Sequence, residues 1–227
     1  MHYIFFDESK FPDNKGMLTC AVIVPQDRYS QLVKTVAFQS WKGRLEKIDE
    51  FLGTVKGLAA VCQVDFKLPW LAENAQDSCN DVSRMSRIDN VWSWAVSYAV
   101  MIALIEQEKR RNEISTVDIY HDPKSLTTEH LTALHDLIRD KMTREIFQRL
   151  HKLQGVASGL RNTMIGRIEP VSKPKTVPAD RFQRGVWLCD QIMRVPEGWA
   201  GCKNIKVWDI TSYIESTVGR WQSGQLV

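Results

Sequence analysis

The chain has 227 residues, of which 44% are hydrophobic and 25% charged, and its formal net charge is +3 at pH 7. This composition predicts a globular α/β domain over residues 1–227 and excludes a largely disordered chain. The five cysteines contain no Cys-x-x-Cys pair, and the N terminus lacks a signal-peptide pattern, so we expect a reducing, cytoplasmic setting.

Three strands are predicted in the first third of the chain. Met1–Asp7 and Gly16–Val24 are apolar runs separated by a polar turn, which predicts a hairpin. A third strand is expected within Ala59–Phe66, because the proline that follows rarely continues a strand. The segment between the second and third strands, Asp27–Lys56, is predicted to be one long helix.

The next helix is predicted to begin at a capping box, Ser86–Asp89, and to end in a cationic cluster that reaches Arg111. Its apolar stretch, Val91–Ile105, is shorter than the roughly 20 residues that a membrane span needs. We therefore expect a helix packed in the core and no association with a membrane.

Strands and helices alternate in the second half. A strand is predicted over Thr116–Asp122 and a helix over Thr127–Leu153, followed by a strand over Thr163–Ile168. The loop Glu169–Pro178 then leads to a last helix, Ala179–Val195. The order predicts a mixed sheet with flanking helices and an extra helix between the second and third strands.

Two of these strands run into an aspartate, Asp7 in the first and Asp122 in the fourth. If the strands are parallel neighbours, both carboxylates leave the sheet at its carboxyl edge, where α/β proteins place their chemistry. Two adjacent carboxylates repel each other unless a cation lies between them, so we expect Mg²⁺ or Mn²⁺ and phosphoryl chemistry. Asp118, two residues deeper in the same strand, is a weaker candidate.

Two short motifs carry a family resemblance: the strand and turn ending in Asp7-Glu8-Ser9-Lys10, and the apolar helix around Cys189-Asp190. The chain resembles the domain-of-unknown-function 3800 family of ribonuclease H-like proteins, with Lys10 and Cys189 in place of the usual glycine and alanine. The resemblance implies a ribonuclease H-like fold in which Asp7, Asp122 and Asp190 bind one or two divalent ions.

Each acid has an alternative interpretation. Glu8 joins the site as a ligand or base only if the first strand ends at Asp7, because neighbours on a strand point to opposite faces. Asp122 precedes a proline and is also suited to opening a turn. Asp190 is also placed to form a surface ion pair with Arg194, four residues later on the helix.

Residues 139–175 contain nine Lys or Arg against three acids. We expect three of these cations, Arg161, Lys173 and Lys175, to bind a phosphate backbone, although a solvated helix face followed by a basic loop gives the same pattern. The chain is thus predicted to be a metal-dependent nuclease or phosphoryl-transfer enzyme acting on nucleic acid. The alternative is a noncatalytic subunit that binds nucleic acid or protein, and a protein partner or homo-oligomer stays open.

Overall fold

The structure of the protein is a computed structural model. It describes residues 1–10, 16–35, 38–65, 82–110, 114–122, 163–171 and 180–215. The predicted helix Thr127–Leu153 lies outside these residues, as do the hairpin turn and most of the loop Glu169–Pro178.

The first three strands form an antiparallel meander, as predicted. Strand β1 (His2–Lys10) pairs with β2 (Gly16–Pro25), which in turn pairs with β3 (Leu58–Asp65). Their alternating apolar side chains are buried on both faces of the sheet, so these strands lie in its middle.

Three later strands extend the sheet in parallel fashion. Strand β4 (Thr116–His121) pairs with β1, and β5 (Met164–Pro170) pairs with β4. On the other side, β6 (Ile205–Asp209) pairs with β3, and the strand order is β5-β4-β1-β2-β3-β6. Strand β6 was not predicted. Its five residues follow a glycine- and proline-containing turn that masks the short alternation of Ile205 and Val207.

Hydrogen bonds from two other elements hold the start of β6. Asp49 accepts the backbone N–H groups of Lys203 at 3.2 Å and Asn204 at 2.7 Å. Arg110 donates to the carbonyl of Gly57 at 3.0 Å and to Oδ1 of Asn204 at 3.1 Å. Contacts this distant in sequence position β6, which is why the local sequence pattern did not reveal it.

Helices cover both faces of the sheet. Helix α3 (Val82–Lys109) packs on one face, and its residues 95–105 are all buried, which confirms the prediction of a core helix. The opposite face is covered by α1 (Gln26–Leu32), α2 (Leu45–Thr54) and α4 (Arg181–Met193). Within the described ranges, no helix combines the length and apolar character that a membrane crossing requires.

Two helix predictions were wrong in their bounds. The single helix Asp27–Lys56 is in fact two α-helices separated by a 3-10 turn, Phe38–Trp41, because Gly43 has a φ of 72° and a right-handed helix cannot pass through that conformation. Helix α3 begins at Val82 and not at the capping box, since no glycine or proline stops the helix before Ser86.

The final helix was predicted closely. Helix α4 begins after Asp180, whose carboxylate accepts the N–H groups of Phe182 at 2.8 Å and Gln183 at 2.9 Å. These two bonds satisfy donors that every helix leaves open in its first turn. The cap fixes where the helix carrying Asp190 starts on the sheet.

Candidate functional site

Asp7 is a buried acid in the middle of the sheet. Only 2% of its surface is exposed, and it lies in register with Cys20 of the neighbouring strand β2. The pKa of the Cys20 thiol is raised well above its usual value, chiefly by burial, then by its contact with Cys189 and by the nearby Asp7 charge. Asp7 therefore faces α4, the helix that carries Cys189.

Asp122 leaves the sheet beside Asp7. The parallel pairing of β1 and β4 ends at Phe6 and His121, so Asp122 lies level with Asp7 on the adjacent strand. Adjacent strands are about 4.8 Å apart. The preceding same-face pair, Phe5 and Tyr120, stacks with ring centroids 5.8 Å apart, so by alternation both aspartates lie on the α4 face.

His121 points the other way. Its ring stacks on Phe6 with centroids 5.0 Å apart, on the face covered by α3. Its Nδ1 lies 2.9 Å from the carbonyl oxygen of Asp122, and burial lowers the pKa of the imidazole. The histidine next to Asp122 thus supports the end of β4 from behind and does not enter the aspartate face.

Helix α4 brings Asp190 toward the same end of the sheet. Near its start, Phe182 stacks on Tyr120 with centroids 4.2 Å apart. Further along, Sγ of Cys189 lies 3.3 Å from the carbonyl oxygen of Phe5. The helix therefore advances along β1 toward Asp7, and Asp190, the next residue, lies on the flank that faces away from α2.

The carboxylate of Asp190 is held by two donors. Nε2 of Gln191 and Nε of Arg194 each lie 2.9 Å from its Oδ2. The ion pair with Arg194, the alternative interpretation of Asp190, is thus present. Sequence analysis missed Gln191, whose only signal is a polar residue inside an otherwise apolar helix.

Among the described residues, no group of three or more His, Cys, Asp or Glu side chains is arranged so that it could hold a metal ion. The three aspartates share one sheet face and one end of the sheet, but Asp190 is turned to Arg194. The metal site of Asp7, Asp122 and Asp190 therefore stays a prediction.

Glu8 does not share this face. Strand β1 continues to Lys10, which pairs with Met17, so the condition that the strand end at Asp7 is not met. Strand alternation then directs Glu8 to the α3 face. The continuation follows from the length of β2, which keeps β1 hydrogen-bonded beyond the point where β4 stops.

Asp118 has a structural role. Its Oδ1 accepts the backbone N–H of Arg167 at 3.0 Å, where the register between β4 and β5 shifts. A Cβ atom at Gly166 would overlap this carboxylate, so the glycine leaves room for it. Asp118 therefore satisfies a bulge in the ladder, which explains its burial without a role in chemistry.

The predicted phosphate-binding residues Arg161, Lys173 and Lys175 lie outside the described residues. Arg167, which belongs to the same basic stretch, is described and lies on β5 with an exposed guanidinium 3.9 Å from Glu169. Nucleic-acid binding by the basic stretch stays a prediction.

No protein-family model matches the chain. No curated protein matches it with significance either.

Gly185 sets the distance between α4 and β1, and its replacement by alanine is a direct test of this arrangement. A Cβ atom at position 185 would overlap the buried ring of Phe5, which cannot move because Tyr3, Tyr29 and Tyr120 pack around it. We expect Gly185→Ala to lower the free energy of unfolding by about 2 kcal/mol in urea denaturation, since overpacking outweighs the gain in helix propensity.

Gly201→Ala serves as the control, because a Cβ atom there would meet no atom within 4 Å. Its unfolding free energy should change by less than about 0.5 kcal/mol. A gain in stability in Gly185→Ala, the usual result in an open helix, would show that α4 does not approach Phe5 this closely.

Proposed function

We propose that the protein is a divalent-metal-dependent nuclease, or a related phosphoryl-transfer enzyme, acting on nucleic acid with Asp7, Asp122 and Asp190 as its carboxylates. The observation that carries the proposal is Asp7, an acid with 2% of its surface exposed that lies level with Asp122 on the parallel neighbouring strand. Burying an acid beside a second acid is costly unless a cation compensates them.

The sheet topology supports the ribonuclease H-like part of the proposal. Strands β1 to β3 form an antiparallel meander, and β4 and β5 add in parallel on the far side of β1. This is the arrangement expected of that fold, with β6 as an addition at the β3 edge. Membership of the domain-of-unknown-function 3800 family is part of the same proposal.

The donor set fits Mg²⁺ or Mn²⁺. All three side chains offer hard carboxylate oxygens, and the buried thiols Cys20 and Cys189 behind Asp7 have no part in binding such an ion. When bound, one or two divalent ions would activate water and stabilise the leaving oxygen of an in-line displacement.

The chain's own residues prepare the site for this chemistry. Burial fixes Asp7, the end of β4 places Asp122 beside it, and the Asp180 cap together with the Gly185 contact fixes the path of α4. Asp190 then has only to exchange its Arg194 partner for a metal ion. The cationic side chains on the neighbouring segments offset the repulsion between the acidic site and the phosphate backbone of a substrate.

A noncatalytic binding subunit is the second candidate. The state of Asp190 favours it, because both Gln191 and Arg194 already occupy Oδ2 of the carboxylate. In such a protein the Asp190 pair is purely structural, and no divalent ion binds the acids.

Thermal melting with added Mn²⁺ separates the two candidates. A ligand that binds only the folded state at a hundred times its Kd stabilises the protein by about 2.7 kcal/mol. For a chain of this size that is a rise of roughly 8 °C in Tm. We expect the rise in the wild type and its loss in Asp122→Asn.

Asp27→Asn is the matched control. Asp27 is an exposed acid in the first turn of α1, at the opposite end of the sheet from Asp7. This variant should keep the full rise in Tm with Mn²⁺. If the wild type shows no rise, or if Asp122→Asn keeps it, the metal-dependent enzyme is excluded and the binding subunit is the better account.

A further inference from the structure

Arg194 is the one charged side chain that contacts Asp190 in the described part of the chain. Its Nε lies 2.9 Å from Oδ2 of Asp190, and its side chain is 60% exposed while that of Asp190 is 25% exposed. Arg194 follows the last residue of α4, so no further helical turn restricts its movement. An exposed ion pair of this kind is weak and is easily exchanged for another partner.

Gln191 contacts the same carboxylate oxygen in a different way. Its Nε2 donates to Oδ2 at 2.9 Å, but the residue is only 4% exposed. Its Oε1 is buried and has no hydrogen-bond partner, so the bond to Asp190 alone orients the amide. Gln191 is therefore a fixed, neutral support for Asp190, whereas Arg194 is a mobile, charged one.

The two donors leave the other oxygen of Asp190 open. Oδ1 accepts no hydrogen bond within the described residues, and Gln191 already orients the carboxylate. An ion at this carboxylate needs only the departure of Arg194, because Gln191 can stay in place as an outer-shell donor. The geometry therefore assigns different tasks to two residues that bind one atom.

We propose that Arg194 is a positioning residue, the counter-ion of Asp190 in the metal-free protein, which a divalent ion displaces and which then holds a phosphate of the bound nucleic acid. This inference rests on the proposed function, because it concerns the same carboxylates. A guanidinium is well suited to both tasks, since its planar fork binds carboxylate and phosphate alike.

The first test is the Kd of Mn²⁺, measured by calorimetry on the full chain. Arg194→Gln should bind Mn²⁺ about threefold more tightly than the wild type, because the competing cation is gone. In an Asp190→Asn background the same change should have no effect. Arg28→Gln removes an equal charge from exposed α1, at the far end of the sheet, and should leave the Kd unchanged.

The second test is the binding of a fluorescent, phosphorothioate-linked oligothymidylate, which resists hydrolysis. Arg194→Gln should weaken binding about threefold with Mn²⁺ present and leave it unchanged in chelator, because only the displaced guanidinium is free to contact phosphate. An equal loss under both conditions, or no loss under either, contradicts the proposal.

The outcomes separate this inference from the function on which it rests. If the wild type binds Mn²⁺ through Asp122 but Arg194→Gln binds it equally or more weakly, Arg194 is not the competitor and the metal-dependent function stands. If the wild type binds no Mn²⁺, both proposals are overturned. A structural role for Arg194 would not tighten metal binding in any variant.

Discussion

Asp7→Asn is expected to lower metal-dependent hydrolysis of nucleic acid by at least about a hundredfold. Loss of an outer-shell partner in a metal site typically costs ten- to a hundredfold, and Asp7 is proposed as a direct ligand. The amide keeps the size of the carboxylate but not its charge, so it cannot hold a hard divalent ion as well. Cleavage of a labelled oligonucleotide in Mg²⁺ measures the change.

The same variant should be as stable as the wild type, or slightly more so, when melted in chelator. Asp7 is 2% exposed and level with Asp122, and removing one of two neighbouring acids relieves their repulsion. Asp27→Asn should match the wild type in both assays. A large loss of stability for Asp7→Asn in chelator would mean that the residue is structural.

His2→Leu is expected to make the fold much less sensitive to acid. His2 is 5% exposed at the start of β1, and neither ring nitrogen has a hydrogen-bond partner. Burial, aided by the N-terminal amino group and opposed by Asp27, lowers the pKa of the imidazole from 6.5 to about 4. Between these values the unfolded chain binds a proton that the folded chain excludes.

The sign follows from this difference in proton binding. The wild type keeps its full stability above pH 6.5 and loses it as the pH falls, by about 3 kcal/mol at pH 4 from this group alone. Urea denaturation of both proteins from pH 7 to pH 4.5 measures the difference, and contributions from His121 and the carboxylates are common to both. Parallel stability curves would show that His2 titrates normally in the folded protein.

The strands that form the centre of the sheet were predictable, because β1 to β4 are continuous apolar runs bounded by turn residues. The outer elements depend on distant contacts. Strand β6 is held by Asp49 and Arg110, and the break before α2 depends on a single positive φ at Gly43. Neither signal can be read from hydrophobic periodicity.

The site was predictable to the same extent. That Asp7 and Asp122 lie side by side follows from two strands ending in an acid, and the observed register of β1 and β4 places them level. The face taken by Glu8 depends on how far β2 extends the pairing of β1, which no residue near Glu8 reveals. The rotamer of Asp190 is set by its competition between Arg194 and other partners, which is a matter of energy and not of pattern.

The strand order also has a consequence for how the protein folds. The meander of β1 to β3 joins residues close in sequence, whereas β1 and β4 pair across more than a hundred residues, from Phe6 to His121. Closing so long a loop carries a larger entropic cost than closing a hairpin, so this pairing forms later. Asp7 is therefore built into a strand before its neighbour Asp122 arrives, and the two like charges are brought together only as the sheet is completed.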